Sequence, residues 1–303
     1  MKELKGLIVA MATPFDENEE LDFAGVKPLC DKLIEDGADG IFCAGSMGEC
    51  AALTVTERVE IALATVNAVA GRVPVVAGVG DVTTKAAVEA VKRLRGSGVD
   101  FISLVMPYYL RPSQEEMYAH VAAVIAASDI PVMAYNIPQN TGTDISAQML
   151  GKLYREDGLI GAKDSSGDLA KMQAFIEATG DDFAMICGSD PHILTSLTMG
   201  AKGAISAPAN ALTRISSAIY DLYMAGDMEG AKAAQADWDV FTSAIAATGS
   251  FPATVKRATN HFTAPVGPAR RPMLPICDKK FADALDAVKD VYAKYYPTRG
   301  LTV

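Results

Sequence analysis

Gly98-Val99-Asp100-Phe101-Ile102 is the most informative phrase for the architecture, because its pattern returns twice elsewhere in the chain. Similar phrases stand at 37–41 (Gly-Ala-Asp-Gly-Ile) and at 200–205 (Gly-Ala-Lys-Gly-Ala-Ile). In each phrase the first glycine suits the end of a helix, and the apolar residues that follow begin a strand. The repetition therefore predicts recurring helix-to-strand joins, which are typical of an α/β chain.

Eight short apolar runs are predicted as strands, and amphipathic stretches predicted as helices separate them. The strands are 6–13, 40–44, 73–79, 101–106, 131–137, 159–163, 183–187 and 203–207, and the helices are 23–36, 54–69, 84–97, 115–128, 147–156, 169–179 and 193–199. About eight strands within about two hundred residues favour a (β/α)8 TIM barrel over an open doubly wound sheet. No Gly-x-Gly-x-x-Gly fingerprint follows the first strand, which weakens the dinucleotide-binding alternative.

Beyond Ala209 the pattern changes to helices alone. These helices are predicted at 212–225, 228–248, 252–262 and 279–295. We predict a catalytic barrel over 1–225 and a C-terminal helical extension over 226–303 that packs on it. No linker rich in Gly, Ser or Pro divides the two parts.

Composition excludes several classes of protein. Half of the 303 residues are apolar and 21% are charged, so a sizeable core is available. The formal net charge is −10 without a basic cluster, which argues against nucleic acid and anionic membrane surfaces as partners. Three scattered histidines predict no metal site, and the absence of a signal-peptide or membrane-span pattern favours a cytoplasmic protein. Five cysteines without a pairing pattern fit free thiols, several of them buried, in a reducing compartment.

Lys163 is the residue with the clearest chemical implication. It closes the apolar run Gly158-Leu159-Ile160-Gly161-Ala162, which is predicted as a buried strand. Loss of hydration there favours the neutral amine, and a neutral amine is the nucleophile that forms a Schiff base with a ketone. On this local pattern alone, Lys163 could equally reach out of the strand end or pair with Asp164.

Other polar residues follow the ends of the predicted strands, where a barrel carries its active site. They lie in Gly45-Ser46-Met47-Gly48-Glu49, in Tyr108-Tyr109, in Tyr135-Asn136-Ile137-Pro138-Gln139-Asn140 and in Gly188-Ser189-Asp190. A glycine-rich turn can bind an anion through its N–H groups, and a tyrosine can serve in proton transfer. Each motif alone could be an ordinary turn or core packing. Together they fall at the same end of the predicted barrel, which predicts a site.

These phrases occur in the order and spacing of the dihydrodipicolinate synthase/N-acetylneuraminate lyase superfamily, which the chain resembles over nearly its whole length. The similarity runs from Met11-Ala12-Thr13-Pro14 to Arg271-Pro272-Met273-Leu274-Pro275 and includes Gly161-Ala162-Lys163-Asp164. The resemblance implies a (β/α)8 barrel, commonly a homotetramer. It also implies that pyruvate or another 2-oxo acid reacts through a lysine imine, with no metal or organic cofactor.

The resemblance implies a role for each matching residue. Lys163 would form the imine, Tyr135 would be the general acid/base, Ser46 would relay protons to it, and Tyr109 would come from the neighbouring subunit. The remaining implied substrate-binding positions are Gly45, Met47, Tyr108, Asn140, Ser165, Gly188, Ser189 and Ile205. The N–H groups of Ser46 and Met47 would hold the carboxylate. For Ser165 and Ser189, capping of local turns is an equal alternative to substrate contact.

Departures from the family pattern concern the substrate. Dihydrodipicolinate synthases usually have threonine where this chain has Met47 and arginine where it has Asn140, and an amide cannot replace the bidentate charge pair of that arginine. Sialic acid lyases usually carry Asp-Glu where this chain has Asp190-Pro191. We therefore expect a lyase that cleaves a 4-hydroxy-2-oxo acid or 2-keto-3-deoxy acid to pyruvate and an aldehyde. The alternatives are a dihydrodipicolinate synthase, an N-acetylneuraminate lyase, a dehydratase using the same imine, and a non-catalytic barrel that binds a 2-oxo acid.

Overall fold

The computed structural model describes residues 2–297, and eight parallel strands close into a barrel in chain order. The strands are β1 Gly6–Ala10, β2 Gly40–Cys43, β3 Val75–Gly78, β4 Phe101–Val105, β5 Val132–Asn136, β6 Gly161–Asp164, β7 Ala184–Cys187 and β8 Gly203–Ser206. β1 pairs with both β2 and β8, which closes the sheet. The predicted (β/α)8 TIM barrel is confirmed.

Helices follow the strands and surround the barrel. They are α1 Phe23–Glu35, α2 Val55–Val69, α3 Thr84–Arg93, α4 Gln114–Ala127, α5 Pro138–Thr141, α6 Ala147–Asp157, α7 Leu169–Ala178, α8 Ile193–Thr198, α9 Thr213–Met224, α10 Met228–Ala246, α11 Ala253–Phe262 and α12 Asp278–Tyr295. All strand residues are buried, because the barrel interior covers one face and the helices cover the other. This double burial explains why the strands appear in the sequence as unbroken apolar runs.

Several predicted elements are longer than the observed ones, among them the first strand and the third helix. The first strand ends at Ala10 rather than at 13. Thr13 already belongs to a loop, and its hydroxyl donates to the Gly48 carbonyl at 2.7 Å. The third helix ends at Arg93, before Gly96 and Gly98 take left-handed φ values of 65° and 87°. Such values interrupt a helix and are easily adopted only by glycine.

The C-terminal helices share one hydrophobic core with the barrel. Trp238 and Phe241 of α10 and Val288 of α12 are fully buried in the same cluster as the strand residues. The Trp238 indole N–H also donates to Asp190 Oδ1 in the loop after β7, at 3.1 Å. The division into 1–225 and 226–303 stays a prediction, and residues 298–303 of that extension lie outside the described part.

All five cysteines are free thiols in the structure, as the sequence predicts, and several of them are buried. Cys30, Cys43 and Cys187 are buried, Cys50 is half-buried and Cys277 is exposed. Burial raises the pKa of Cys30 and of Cys43 to about 12. Among residues 2–297 no helix is long and apolar enough to cross a membrane, and no three potential metal-ligating side chains gather together.

Candidate active site

Lys163 lies inside the barrel rather than at its rim. Its residue is only 5% exposed, and its Nζ atom lies 4.1 Å from the centroid of the Tyr135 ring and 5.5 Å from that of Phe42. Among the described residues, none forms a hydrogen bond or an ion pair with the side-chain amine of Lys163. The Asp164 carboxylate instead accepts from Asn136 Nδ2 at 2.8 Å and from Ser166 Oγ at 2.6 Å. Neither pairing with Asp164 nor escape to solvent therefore describes this lysine.

Tyr135 connects the lysine to the loop after β2. It is 3% exposed on β5 and is the register partner of Lys163 on β6. Its hydroxyl lies 3.3 Å from Ser46 Oγ, and either oxygen could donate. The structure thus brings together three residues that the sequence predicted as catalytic. The arrangement gives an amine and a proton-transferring hydroxyl pair in a site that excludes most water.

The loop of residues 45–49 offers backbone donors. No acceptor within residues 2–297 takes a hydrogen bond from the N–H of Ser46 or Met47. The Met47 side chain is buried. The backbone at Gly45 approaches the Phe42 ring closely, and glycine is required because a Cβ there would lie 2.7 Å from that ring. Free N–H groups in such a turn suit a carboxylate.

Gly188 leaves space for the lysine side chain. A Cβ at this position would lie 2.7 Å from Lys163 Cε and 2.1 Å from Ser165 Oγ. Ser165 is buried, and its hydroxyl and the lysine chain both border the space at Gly188. A contact between Ser165 and the substrate stays a prediction. Ile205 is buried on β8, which pairs with the strand that precedes Gly188.

Hydrogen bonds between loop side chains fix the ends of β5 and β6. Asn136 Nδ2 donates to Asp164 and also to Asp144 Oδ1 at 3.0 Å, while Asn136 Oδ1 accepts from the Ile145 N–H at 3.0 Å. Asp144 also forms an ion pair with Lys171 of α7. Because Asn136 and Asp164 directly follow Tyr135 and Lys163, this network holds the two strand ends in register.

A cavity of about 570 Å³ opens above Ser46. It is lined by Ser46, Glu49, Cys50, Ala51, Ala52, Val105, Tyr108, Ile137, Asn140, Thr141, Phe251, Pro252, Arg270, Arg271, Pro272 and Met273. Lys163 itself does not line it. A narrower recess that includes Phe42, Gly78 and Tyr135 shares Ser46, Cys50 and Val105 with the cavity and continues toward the lysine. Ser46 therefore stands between the open cavity and the buried amine.

Tyr109 and Ser189 are also absent from the lining of this cavity. Tyr109 is 90% exposed with a left-handed φ of 74°, and its neighbour Leu110 is 75% exposed. Ser189 lines a different crevice, together with Gly167 and Leu169 at the start of α7. Tyr108, by contrast, lines the cavity, and burial raises the pKa of its hydroxyl.

Sequence reasoning missed the walls that distant segments contribute. Phe251 and Met273 come from the C-terminal extension, and Phe42 supplies the second ring beside Lys163. No local motif marks the loop around 251, and the phrase Arg271-Pro272-Met273 entered the sequence analysis only as the end of the family resemblance. Lys256 was a weak signal, because it is the one charged residue among the residues that α11 buries.

Comparisons with known proteins agree with this geometry. The family model of the dihydrodipicolinate synthetase family matches residues 3–291. A 4-hydroxy-tetrahydrodipicolinate synthase of Oceanobacillus iheyensis is 35% identical over 94% of this chain and 96% of its own. The crystal structure of a dihydrodipicolinate synthase from Bacillus anthracis superposes with a TM-score of 0.90, at 32% identity over 95% of this chain and 99% of that one.

A third similar protein was crystallised with a ligand. It is a prophage protein of the dihydrodipicolinic acid synthase family from E. coli K12, in complex with pyruvate. Its TM-score is 0.90 at 27% identity, and the match covers 95% of this chain and 98% of that one.

Proposed function

Because the chain belongs to the dihydrodipicolinate synthetase family, we propose that Lys163 forms an imine with pyruvate and that the resulting enamine adds to an aldehyde. The family makes this chain an enzyme, a pyruvate-dependent lyase of the class I aldolase type. The observation that supports the assignment of roles is that Tyr135 contacts both other residues: Lys163 Nζ lies 4.1 Å from its ring centroid, and Ser46 Oγ lies 3.3 Å from its hydroxyl.

The chemistry follows from these positions. The nitrogen of Lys163 attacks the ketone carbon, and the carbinolamine hydroxyl leaves as water after it takes a proton from Tyr135. The positively charged imine withdraws electrons, so that the Tyr135 oxygen, which has just given up its proton, can take a proton from the pyruvate methyl group. The enamine that results forms a carbon–carbon bond with the aldehyde carbon, and the aldehyde oxygen takes the proton back from Tyr135. Water then hydrolyses the imine, which releases the product from Lys163 and returns a proton to Tyr135.

Ser46 and Met47 have a second task in this proposal. Their free N–H groups support binding of the pyruvate carboxylate, since donors fixed before the substrate arrives need no reorganisation. Ser46 Oγ supports proton exchange between Tyr135 and the cavity. Gly188 supports formation of the imine, because a side chain there would occupy the space beside Lys163 Cε.

Aspartate semialdehyde is the aldehyde that we propose first. The similar curated proteins are named 4-hydroxy-tetrahydrodipicolinate synthase. This agreement favours the synthase, which the sequence analysis held as an alternative, over the expected 4-hydroxy-2-oxo acid aldolase. Arg271 at the cavity wall carries a guanidinium that can bind the carboxylate of aspartate semialdehyde. In the structure this guanidinium forms an ion pair with Glu19.

Aldol cleavage of a 4-hydroxy-2-oxo acid is the second candidate, and one observation favours it. Asn140 is exposed at the cavity in the position where the family's synthases usually have arginine. An amide is suited to a hydroxyl or a neutral carbonyl, and it binds a carboxylate less strongly than a bidentate guanidinium does.

We also propose that the protein is a homotetramer in which Tyr109 completes the relay of a neighbouring subunit. An exposed tyrosine in a left-handed backbone conformation, next to an exposed leucine, supports an interface at this loop.

Borohydride reduction with pyruvate tests the imine, and product analysis tests the aldehyde. Intact-protein mass should show one pyruvyl adduct on a peptide that contains Lys163, and Lys163→Ala should lose both the adduct and turnover. Absence of an adduct in the wild-type protein would overturn the proposal. Initial rates with pyruvate plus aspartate semialdehyde, compared with rates of pyruvate release from 4-hydroxy-2-oxoglutarate, then decide between the two candidates.

A further inference from the structure

A buried ion pair connects the C-terminal extension to the loop that carries Ser46. Lys256 Nζ on α11 lies 2.8 Å from Glu49 Oε1, and the two side chains are only 1% and 5% exposed. The residues are 207 positions apart in sequence, so the contact exists only in the folded chain. Transfer of two charges out of water is costly, which means that a pair of this kind needs compensation from its surroundings.

Both members of the pair have further partners. Lys256 Nζ donates to the Pro268 carbonyl at 2.7 Å and lies 4.1 Å from the centroid of the Phe15 ring. Glu49 Oε2 accepts from the backbone N–H of Arg270 at 2.8 Å. The carboxylate of Glu49 is thus held from two sides by the C-terminal extension, and its position leaves little freedom to the backbone that carries it.

That backbone is strained and leads directly to Ser46. Glu49 has a left-handed φ of 58°, which a residue with a long side chain rarely adopts without external support. The Glu49 N–H donates to the Ser46 carbonyl at 3.1 Å, and the Cys50 N–H donates to the Gly45 carbonyl at 3.1 Å. A displacement of Glu49 is therefore transmitted through this turn to Ser46.

The Ser46 contact is sensitive to such a displacement. The 3.3 Å between Ser46 Oγ and Tyr135 Oη is already at the long end for a hydrogen bond between hydroxyl groups. A shift of a few tenths of an ångström would break it. The same shift would redirect the free N–H groups of Ser46 and Met47.

We propose that Lys256 is a positioning residue: its ion pair with Glu49 holds the loop of residues 45–50 so that Ser46 remains in reach of Tyr135 and the N–H groups of Ser46 and Met47 stay free for a ligand. The inference rests on the function proposed above, because it assigns a consequence to the geometry of Ser46. It gives the C-terminal extension a part in catalysis through Lys256, which does not touch the reacting atoms.

The charge of Lys256 is itself finely balanced. Burial lowers the pKa of Lys256 to about 8, Glu49 opposes this shift, and the Arg270 guanidinium adds to it. The other groups that face Lys256 are uncharged, namely the Phe15 ring and the Pro268 carbonyl. The ion pair is therefore present at neutral pH and is lost at moderately alkaline pH, where the loop would be released.

Three variants test the proposal. Lys256→Met removes the charge at similar length, Lys256→Arg keeps it, and Arg257→Ala is the matched control. Arg257 is the next residue of α11 and is exposed; it forms an ion pair with Asp278 at 2.8 Å and lies 4.9 Å from the centroid of the Phe281 ring. For each protein we would measure pyruvyl trapping by borohydride, kcat, the KM for pyruvate, and the ratio of kcat values between pH 7 and pH 9.5.

We expect Lys256→Met to trap pyruvate while kcat falls roughly 10- to 100-fold and the KM for pyruvate rises. Lys256→Arg should recover most of kcat at pH 7 and lose less of it at pH 9.5 than the wild-type protein. Arg257→Ala should behave as wild type. Unchanged kcat and KM in Lys256→Met, or an equal alkaline loss in wild type and Lys256→Arg, would overturn the proposal.

If Lys256→Met does not fold, Glu49→Gln replaces it, because an amide keeps the acceptor for the Arg270 N–H and loses only the charge. The same fall in kcat is expected, and wild-type kcat would contradict the inference. Failure of the proposed function is distinguishable, since the wild-type protein itself would then trap no pyruvate.

Discussion

Tyr135 contacts the Lys163 amine through its ring and Ser46 through its hydroxyl. Tyr135 and Lys163 are register partners on β5 and β6, and Lys163 Nζ lies 4.1 Å from the Tyr135 ring centroid. Because strand pairing sets this separation, it does not depend on a mobile loop. The contact with Ser46, in contrast, depends on the loop of residues 45–49, which brings Ser46 Oγ to within 3.3 Å of the Tyr135 hydroxyl. Nucleophile and proton donor are thus held by the barrel, and the relay is held by a turn.

Tyr135→Phe should separate imine chemistry from packing. The change removes only the hydroxyl and keeps the ring beside Lys163, so the fold and its thermal stability should be nearly unchanged. Loss of the proton donor should lower kcat by roughly 10²- to 10⁴-fold and slow the trapping of pyruvate. Steady-state kinetics and the time course of borohydride trapping measure both effects.

Tyr223→Phe is the matched control for that variant. Its hydroxyl, on α9 and outside the cavity, donates to the Leu197 carbonyl at 3.0 Å. Its removal should cost about 1 kcal/mol of stability and leave kcat unchanged. A Tyr135→Phe enzyme with the kcat of this control would exclude Tyr135 as the acid/base.

Gly188→Ala should block the imine without unfolding the barrel. The new methyl group would approach Lys163 Cε to 2.7 Å and Ser165 Oγ to 2.1 Å, so one of these side chains must move. Ser165→Ala removes the second conflict and leaves the first. We expect Ser165→Ala alone to trap pyruvate and the double variant to remain impaired at least tenfold in trapping rate, which mass spectrometry measures. Full recovery in the double variant would show that the serine, and not the lysine, limits the space.

The barrel was predictable from sequence because its strands are buried on both faces. Runs such as 101–106 carry their own signal, and β4 follows it closely at Phe101–Val105. The predicted end of β1 was wrong because the loss of strand partners after Ala10 leaves no mark in an apolar run. The short α5, Pro138–Thr141, was not predicted, since four residues are too few for a periodic pattern.

The candidate site was predictable where each residue has a fixed place relative to a strand. Lys163, Tyr135 and Gly188 lie on strands or directly after them, and the barrel brings such positions together. Phe251 and Lys256 depend on packing between segments about two hundred residues from the Ser46 loop, and no single sequence shows such contacts. Their roles become visible only in the folded chain.

Mixed oligomers should reveal whether Tyr109 acts in a neighbouring subunit. Tyr109→Phe and Lys163→Ala chains should each have little activity alone. After subunit exchange, a site with Lys163 from one chain and Tyr109 from the other is complete, so activity should rise toward a fraction of wild type. Activity measured before and after joint unfolding and refolding of the two variants tests this expectation. No gain on mixing, with a confirmed mixed oligomer, would restrict Tyr109 to its own subunit or to no role.

Lys256 should also make stability depend on alkaline pH, in the direction opposite to activity. Its pKa is about 8 in the folded chain, below the roughly 10.4 of an unfolded lysine. Between these values the unfolded chain binds more protons at this residue, so the free energy of unfolding rises with pH. The cost of burying the charge is present in full below pH 8 and is relieved as pH approaches 10.4.

The quantity to measure is the difference in unfolding free energy between the wild-type protein and Lys256→Met, from denaturant titrations between pH 7 and pH 10.5. Methionine cannot titrate, so the difference isolates the lysine, and it should increase by roughly 3 kcal/mol in favour of the wild type across this range. Arg257→Ala, compared in the same way, should give a difference that stays flat with pH. A flat difference for Lys256→Met as well would mean that Lys256 keeps an ordinary affinity for its proton, and the alkaline loss of kcat would then need another titrating group.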